Sequence, residues 1–195
     1  LAALSKLGAK TAFIGAVGND QFGRYLKDCL SNNNIDASGL VMTDTANTTL
    51  AFVHLTDEGD RSFSFYRNPG ADTMLKPTDI SEKIIKEAGI FHFGSLSLSD
   101  EPARSATLKA LQIARDNSLL ISYDPNLRLP LWKSAVDAKR EIKRGLEYAD
   151  ILKILEEELL FITGERDLEK GSQILSEMGI GLVFITLGPK GTFFR

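Results

Sequence analysis

The sequence has a single cysteine, Cys29, among its 195 residues. A lone cysteine excludes a disulfide within the chain, and scarce cysteine is typical of a reducing compartment, which indicates a cytoplasmic location. The two histidines, His54 and His92, both lie in apolar stretches without other metal-ligand side chains at a recognisable spacing. This placement favours histidines that line a core over histidines that bind a metal.

Positive charge is not in excess, and long apolar runs are missing. The chain has 23 Lys and Arg against 26 Asp and Glu, a net charge of -3, which argues against a nucleic-acid partner. No stretch approaches the length of a membrane span, and the opening residues Leu1 to Leu4 lack the basic start and extended apolar centre of a signal peptide. We therefore expect a soluble protein with neither a nucleic-acid nor a membrane partner.

Strand and helix patterns alternate along most of the chain. The predicted strands are 11–17, 90–94, 119–123, 151–154 and 182–187, and the predicted helices are 21–33, 79–88, 101–116, 135–148, 156–163 and 168–178. Such alternation is typical of a parallel sheet covered by helices, so the predicted fold class is α/β.

Residues 39–71 interrupt this alternation with extended patterns. The stretches 40–43, 48–56 and 61–67 have extended patterns, and the last two are joined by Asp57-Glu-Gly-Asp60, a hairpin signal. Phe63, Phe65 and Arg67 alternate with Ser62, Ser64 and Tyr66, which predicts a sheet with two different faces. We therefore predict a small β-sheet lid at 39–71 beside a core of 1–38 and 72–195. A thin sheet buries little apolar surface alone, so Phe52, Phe63 and Phe65 should pack against the core or a second subunit.

The strand at 119–123 ends in the polar motif Asp124-Pro-Asn-Leu-Arg128. If the chain stays extended after Pro125, side chains two residues apart share a face, and Asp124, Asn126 and Arg128 converge. Arg128 is the best candidate for a ligand contact, because its planar fork matches hydroxyl pairs, carboxylates and phosphates. A structural ion pair at the strand end is the alternative.

Two glycine-rich segments also follow predicted strands, where ligands bind in sheets of this kind. The first runs from Gly15 to Gly23, and it predicts either a ligand contact or a turn with Asp20 as a helix cap. The second is Thr186-Leu-Gly-Pro-Lys-Gly191, whose backbone N–H groups can bind an anion. Its order of Gly and Lys differs from a Walker A loop.

Four motifs, taken together, carry a resemblance. They are Gly15-x-Val-Gly-x-Asp-x-x-Gly23, Phe65-Tyr-Arg-Asn-Pro-Gly-Ala-Asp72, Asp124-Pro-Asn-Leu-Arg-x-Pro-Leu-Trp132 and Thr186-Leu-Gly-Pro-Lys-Gly191. In this order and spacing the chain resembles the ribokinase-like (PfkB) carbohydrate kinases, and among them the fructokinases. The resemblance implies a Rossmann-like sheet with a small β lid over a sugar, and transfer of the γ-phosphoryl group of ATP to a sugar hydroxyl, giving fructose 6-phosphate from D-fructose.

The resemblance also implies roles for single residues. It places Tyr66 and Arg67 at the lid's approach to the sugar and Arg128 between sugar and phosphates. Asp124 and Asn126 would shape that junction.

The nucleotide side of the resemblance rests on Thr186, Gly188 and Gly191, which match the family's loop along the ATP phosphates. Glu158 matches the last residue of an Asn-x-x-Glu motif that influences Mg²⁺ through water, whereas Leu155 stands where a polar residue is usual. The implied cofactors are therefore ATP and Mg²⁺. Lids of this kind often pair between subunits, which implies a homodimer.

Two family segments have no counterpart in the chain. These are a Gly-Gly-x-x-x-Asn sugar segment and a Gly-Ala-Gly-Asp segment with the catalytic base, so the resemblance implies a chain truncated at both ends that is not a complete catalyst alone. Another family kinase, acting on ribose, a nucleoside or 2-keto-3-deoxygluconate, stays open, because Arg67 could pair with the carboxylate of a sugar acid. A catalytically inactive kinase-like binding protein stays open as well, because of Leu155. A generic dinucleotide-binding protein is disfavoured, since no Gly-x-Gly-x-x-Gly follows the first strand.

Overall fold

The computed structural model describes residues 1–55 and 61–195, and these form two compact units. The first unit contains residues 1–84 and 101–106, and the second contains residues 85–100 and 107–195. The predicted turn Asp57-Glu-Gly-Asp60 lies outside the described residues. The division into a core and a lid at 39–71 stays a prediction.

The first unit opens with two parallel strands joined by a helix. Helix α1 (Ala2–Lys6), strand β1 (Thr11–Gly18), helix α2 (Gln21–Asn32) and strand β2 (Ile35–Thr43) follow one another, and β1 pairs with β2 in parallel. Strand β2 begins at Ile35, earlier than the predicted start at residue 40. Its first half contains Asp36, Ser38 and Gly39, whose polar or small side chains do not produce a strand-like apolar pattern.

Strands β3 (Leu50–Leu55) and β4 (Arg61–Tyr66) pair with each other as an antiparallel sheet. The predicted alternation of faces is confirmed by ring contacts. Phe63 and Phe65 stack at 5.9 Å between ring centroids, and Phe52 meets the edge of Tyr66 at 5.5 Å. Phe52 therefore lies on the face opposite to Phe63 and Phe65.

The second unit contains a five-stranded sheet in the order β5-β6-β7-β8-β9. Its strands are β5 (Ile90–Gly94), β6 (Leu120–Asp124), β7 (Ile151–Leu155), β8 (Leu182–Thr186) and β9 (Thr192–Phe194). Strands β5 to β8 are parallel, as predicted, and β9 returns antiparallel to β8. Strand β9 was not predicted, because three residues are too few to show a periodicity.

Five helices complete the chain: α3 (Glu82–Lys86), α4 (Ala103–Asp116), α5 (Ala135–Leu146), α6 (Glu156–Thr163) and α7 (Leu168–Glu177). The predicted helix at 79–88 is shorter in the structure, since Pro77–Asp79 forms a separate 3-10 turn. No helix among the described residues is both long and apolar enough to cross a membrane.

One face of the five-stranded sheet forms the core of the second unit. Tyr123 is fully buried there and stacks on Phe93 at 4.2 Å. Helix α5 approaches Tyr123 through Gly145, where a Cβ atom would lie 2.8 Å from the ring. The inward side chains of β7 and β8, Leu152, Ile154, Val183 and Ile185, are fully buried as well. These strands therefore hold their carboxyl ends in fixed relative positions.

Candidate active site

The carboxyl ends of β6, β7 and β8 lie side by side in the second unit, and each leads into a predicted site segment. Asp124 is the last residue of β6, Leu155 the last of β7 and Thr186 the last of β8. The register places Leu155 beside Thr186. Parallel pairing thus assembles three segments that are far apart in the sequence.

The segment after β6 turns at Asn126, so the condition for the predicted convergence, an extended chain after Pro125, is not met. Asn126 has a φ of 46°, in the left-handed region. Pro125 restricts Asp124 but leaves Asn126 free, and Asn is among the residues that tolerate this conformation best. The rule that alternate side chains share a face therefore does not apply beyond Asp124.

Asp124 pairs with Lys153 and not with Arg128 among the residues the structure describes. Its Oδ2 atom lies 3.1 Å from Lys153 Nζ. Its Oδ1 atom is buried and has no hydrogen-bond partner in the described part of the chain. Arg128 donates from Nη1 to the carbonyl oxygen of Leu127 at 2.9 Å. The predicted convergence of Asp124, Asn126 and Arg128 is thus replaced by a carboxylate–ammonium pair across two strands.

Lys153 was missed by the sequence reasoning, although a signal was present. It is a charged residue in the middle of the apolar strand Ile151-Leu-Lys-Ile-Leu155. Lysine is almost never placed in such a strand unless its ammonium group has a partner or reaches water.

Glu158 fixes the turn that carries Arg128. Its side chain is buried, and Oε1 accepts a hydrogen bond from Leu127 N at 2.6 Å while Oε2 accepts one from Leu155 N at 2.8 Å. Leu155 occupies the N-cap of α6, where its apolar side chain cannot accept a hydrogen bond. Of the two hydrogen bonds of a capping box, only the one from Leu155 N to the Glu158 side chain is therefore formed.

The same geometry tests how the site fits Mg²⁺, which prefers oxygen ligands and keeps several waters. Both Glu158 oxygens already accept backbone N–H groups, so their remaining lone pairs suit a bridging water. No three His, Cys, Asp or Glu side chains in the described ranges cluster as a metal site. These residues fit a role in which Glu158 would accept a hydrogen bond from a water of a bound Mg²⁺ and would not contact the ion itself.

Tyr123 lies in the same region but is unsuited to acid–base chemistry. Burial raises the pKa of Tyr123 well above its ordinary value, and the negative charges of Glu158 and Asp124 raise it further. The phenol therefore stays neutral at physiological pH.

The segment after β8 is the connection of a hairpin. Thr186 donates its hydroxyl to the carbonyl oxygen of Ile154 at 3.2 Å. Gly188 and Gly191 have φ values of 59° and 99°, in the left-handed region, which favours glycine. A Cβ atom at either position would meet no atom within 4 Å. The backbone conformation therefore favours glycine at both positions, and the space above the turn is open to a ligand.

In the first unit, Arg67 and Tyr66 differ in their surroundings. Arg67 donates from Nε and Nη2 to Asp72 Oδ2, both at 2.7 Å, and only 5% of its side chain is exposed. Asp72 also accepts the hydroxyl of Thr49. Tyr66 is 68% exposed. Arg67 thus holds the end of β4 in place, while Tyr66 is accessible to a ligand.

The Gly15–Gly23 segment has the geometry of its turn-and-cap alternative. Asp20 caps α2 by accepting from Gly23 N at 2.8 Å, and its other oxygen accepts from Thr48 N at 2.8 Å. Gly23 has no room for a side chain, since a Cβ atom would lie 1.9 Å from the carbonyl oxygen of Gly18. The hydrogen bonds from the backbone of Thr48, and then of Gly23, lower the pKa of Asp20.

Comparison with known protein families matches residues 1–195 to the pfkB family carbohydrate kinases. The chain belongs to the pfkB family. Fructokinase-2 of Solanum lycopersicum is 44% identical over 190 residues, which are 97% of this chain and 58% of that protein. This pfkB chain thus spans about 58% of the length of that curated relative.

Solved structures agree with this membership. A fructokinase of Vibrio cholerae with bound fructose, ADP and calcium ion superposes with a TM-score of 0.90 at 34% identity, over 100% of this chain and 62% of that one. A fructokinase of Xylella fastidiosa with bound ATP superposes with a TM-score of 0.90 at 32% identity, over 100% and 60% of the two chains. The pfkB chain has their ribokinase-like α/β fold, as its sequence predicted.

Proposed function

We propose that the full-length protein is an ATP-dependent fructokinase, which transfers the γ-phosphoryl group of ATP to D-fructose and gives fructose 6-phosphate. The observation that carries this proposal is the 44% identity to a fructokinase over 97% of the chain. In the transfer, a bond forms between the sugar hydroxyl oxygen and the γ-phosphorus while the bond to the β–γ bridging oxygen breaks, and the hydroxyl proton passes to a base. The resemblance assigns this base to a Gly-Ala-Gly-Asp segment, which the 195 residues do not contain.

We assign phosphate contacts to the segments at the strand ends of the second unit. Arg128 has a planar cation that can bind two oxygens of a phosphoryl group at once. Thr186, Gly188 and Gly191 border an open turn. We assign the Gly188 N–H to the phosphates of a nucleotide, because the N–H groups of Leu187, Lys190 and Gly191 already donate within the turn. Positioning and cancellation of charge are the main requirements of phosphoryl transfer, and these groups supply both.

We assign the sugar to Tyr66, Arg67, Asp124 and Asn126. The exposed Tyr66 supports this for the lid strand. Arg67 would act by holding the backbone beside Tyr66, because its guanidinium is already paired with Asp72. That pairing also disfavours a sugar acid such as 2-keto-3-deoxygluconate, since its carboxylate would have to displace Asp72.

Mg²⁺ bound with ATP would neutralise charge on the transferring phosphoryl group. We assign Glu158 to a water-mediated contact with this ion.

We further propose a cytoplasmic location, in line with the single cysteine of the chain. We also propose that the protein forms a homodimer through the β3–β4 sheet, whose apolar side chains are largely exposed.

The test offers full-length protein and ATP-Mg to D-fructose, ribose, adenosine and 2-keto-3-deoxygluconate side by side, with ADP formation measured against a no-sugar control. We expect kcat/KM for fructose to exceed that of each rival by about tenfold or more, the size of discrimination that polar contacts in a site readily provide. A higher value for a rival would move the assignment to that substrate. Nucleotide binding without turnover of any sugar would identify an inactive kinase-like binding protein.

A further inference from the structure

Lys153 has an unusual position for a charged residue. Its neighbours in β7, Leu152 and Ile154, are fully buried on the core face of the sheet. Side chains alternate between the two faces of a strand, so Lys153 lies on the other face, where 38% of its side chain is exposed. A lysine in this position contributes little to the core, and its ammonium group is accessible to a ligand.

Both members of the pair that Lys153 forms with Asp124 can form further hydrogen bonds. The ammonium group has three N–H donors, and its interaction among the described residues is the one with Asp124 Oδ2 at 3.1 Å. On the carboxylate, Oδ1 is buried without a hydrogen-bond partner in that part of the chain. A buried polar atom without a partner usually marks a bound water, an ion or a ligand group.

The position of the Lys153–Asp124 pair in the sheet indicates which ligand group the pair binds. Lys153 lies on β7, between β6, which leads into the Arg128 turn, and β8, which leads into the Gly188–Gly191 turn. Two residues further along β7, Leu155 is in register with Thr186. An ammonium group here is next to the segments that we assign to the phosphates.

We propose that Lys153 is a catalytic residue that contacts the phosphoryl group transferred by the proposed kinase, and that Asp124 is the positioning residue that holds its ammonium group. Lys153 keeps its proton throughout and acts by charge alone, so it makes and breaks no covalent bond. The positive charge of the ammonium group stabilises the negative charge on the phosphoryl oxygens while the group passes from the nucleotide to the sugar. This role rests on the proposed function. It makes Lys153 the second positively charged side chain, after Arg128, that we assign to the phosphates.

The experiment compares full-length wild type with Lys153→Met, which retains the apolar stem without the charge, and with Lys143→Met, a matched change of an exposed lysine on α5. Steady-state kinetics give kcat and KM for fructose and ATP. Calorimetry gives the Kd of ADP and of a non-hydrolysable ATP analogue, and thermal unfolding gives Tm. Asp124→Asn and the double variant Asp124→Asn/Lys153→Met complete a double-mutant cycle, which measures how far the effects of the two residues on kcat depend on each other.

For Lys153→Met we expect kcat to fall about 100-fold, the usual loss when one charge-stabilising donor is removed. The KM for fructose should stay within about threefold, and the Kd should rise about tenfold for the ATP analogue but stay within about twofold for ADP, because only the analogue has the terminal phosphoryl group. Lys143→Met should behave as wild type. The double variant should lose less kcat than the product of the two single losses, because Asp124 acts in part through Lys153.

An unchanged kcat in Lys153→Met would overturn the proposal. So would an equal weakening of ADP and ATP analogue together with a large drop in Tm, which would indicate a purely structural ion pair. If wild type phosphorylates no sugar, the proposed function fails, and the ratio of the two nucleotide affinities still decides the role of Lys153.

Discussion

Glu158 accepts a hydrogen bond from the backbone N–H of Leu127, 31 positions away in the sequence, at 2.6 Å. Its second oxygen accepts from Leu155 N at 2.8 Å. The buried carboxylate thus joins the turn that carries Arg128 to the first turn of α6. The conformation of the candidate phosphate site therefore depends on a residue whose own contacts are to backbone.

The first prediction concerns this connection. Glu158→Gln should destabilise the protein by about 1–3 kcal/mol, because an amide has one oxygen for two N–H groups and leaves a buried donor unpaired. Because the turn is then less well held, kcat should fall as well. Denaturant unfolding and steady-state kinetics of the full-length protein measure both effects, and Glu157→Gln, at an exposed position of the same helical turn, is the control. Equal stability of both variants would show that the two hydrogen bonds are unimportant.

The second prediction concerns Arg128. Arg128→Lys should lower kcat of the full-length enzyme by about 10- to 100-fold, because a point charge cannot replace a planar fork that binds two oxygens. Arg166→Lys, at an exposed position, should leave the rate unchanged. Wild-type turnover with normal fructose affinity in Arg128→Lys would remove Arg128 from the mechanism.

The third prediction concerns Asp20 and pH. Its pKa is lowered in the folded chain by hydrogen bonds from Thr48 and Gly23. A lowered pKa means that the ionised carboxylate stabilises the fold above the unfolded pKa of about 3.9, and that this contribution is lost as the pH falls through the folded value. Asp20→Asn should therefore lower Tm clearly at pH 7 and much less at about pH 2.5.

Asp28→Asn, at an exposed position on the same helix, is the matched control for the removal of one carboxylate charge. A Tm difference between wild type and Asp20→Asn that is the same at both pH values would contradict the assigned role of the carboxylate charge.

The fourth prediction concerns the β3–β4 sheet. Val53, Leu55 and Phe63 share one face of this sheet and are all exposed. An apolar patch of this kind usually marks an interface. Wild-type full-length protein should sediment as a dimer, and Phe63→Glu should shift it towards monomer. Ser62→Glu, on the opposite face, should remain dimeric, and a monomeric wild type at micromolar concentration would contradict the prediction.

Much of the fold was predictable because its determinants are local. The apolar runs of β5 to β8 and the periodicity of α5 to α7 reflect neighbouring residues, and the cap by Asp20 joins side chain and backbone only three positions apart. The alternation of strand and helix then determined a parallel sheet. The ligand site at the strand ends stays a prediction.

The contacts inside the candidate site could not be predicted in this way. Asp124 was expected to converge with Arg128, four residues away, yet it pairs with Lys153 on the next strand. The sequence by itself determined that polar groups gather at the strand ends, because periodicity is a local property. Only the tertiary structure decided which groups touch, because that depends on the order of the strands and on the left-handed turn at Asn126.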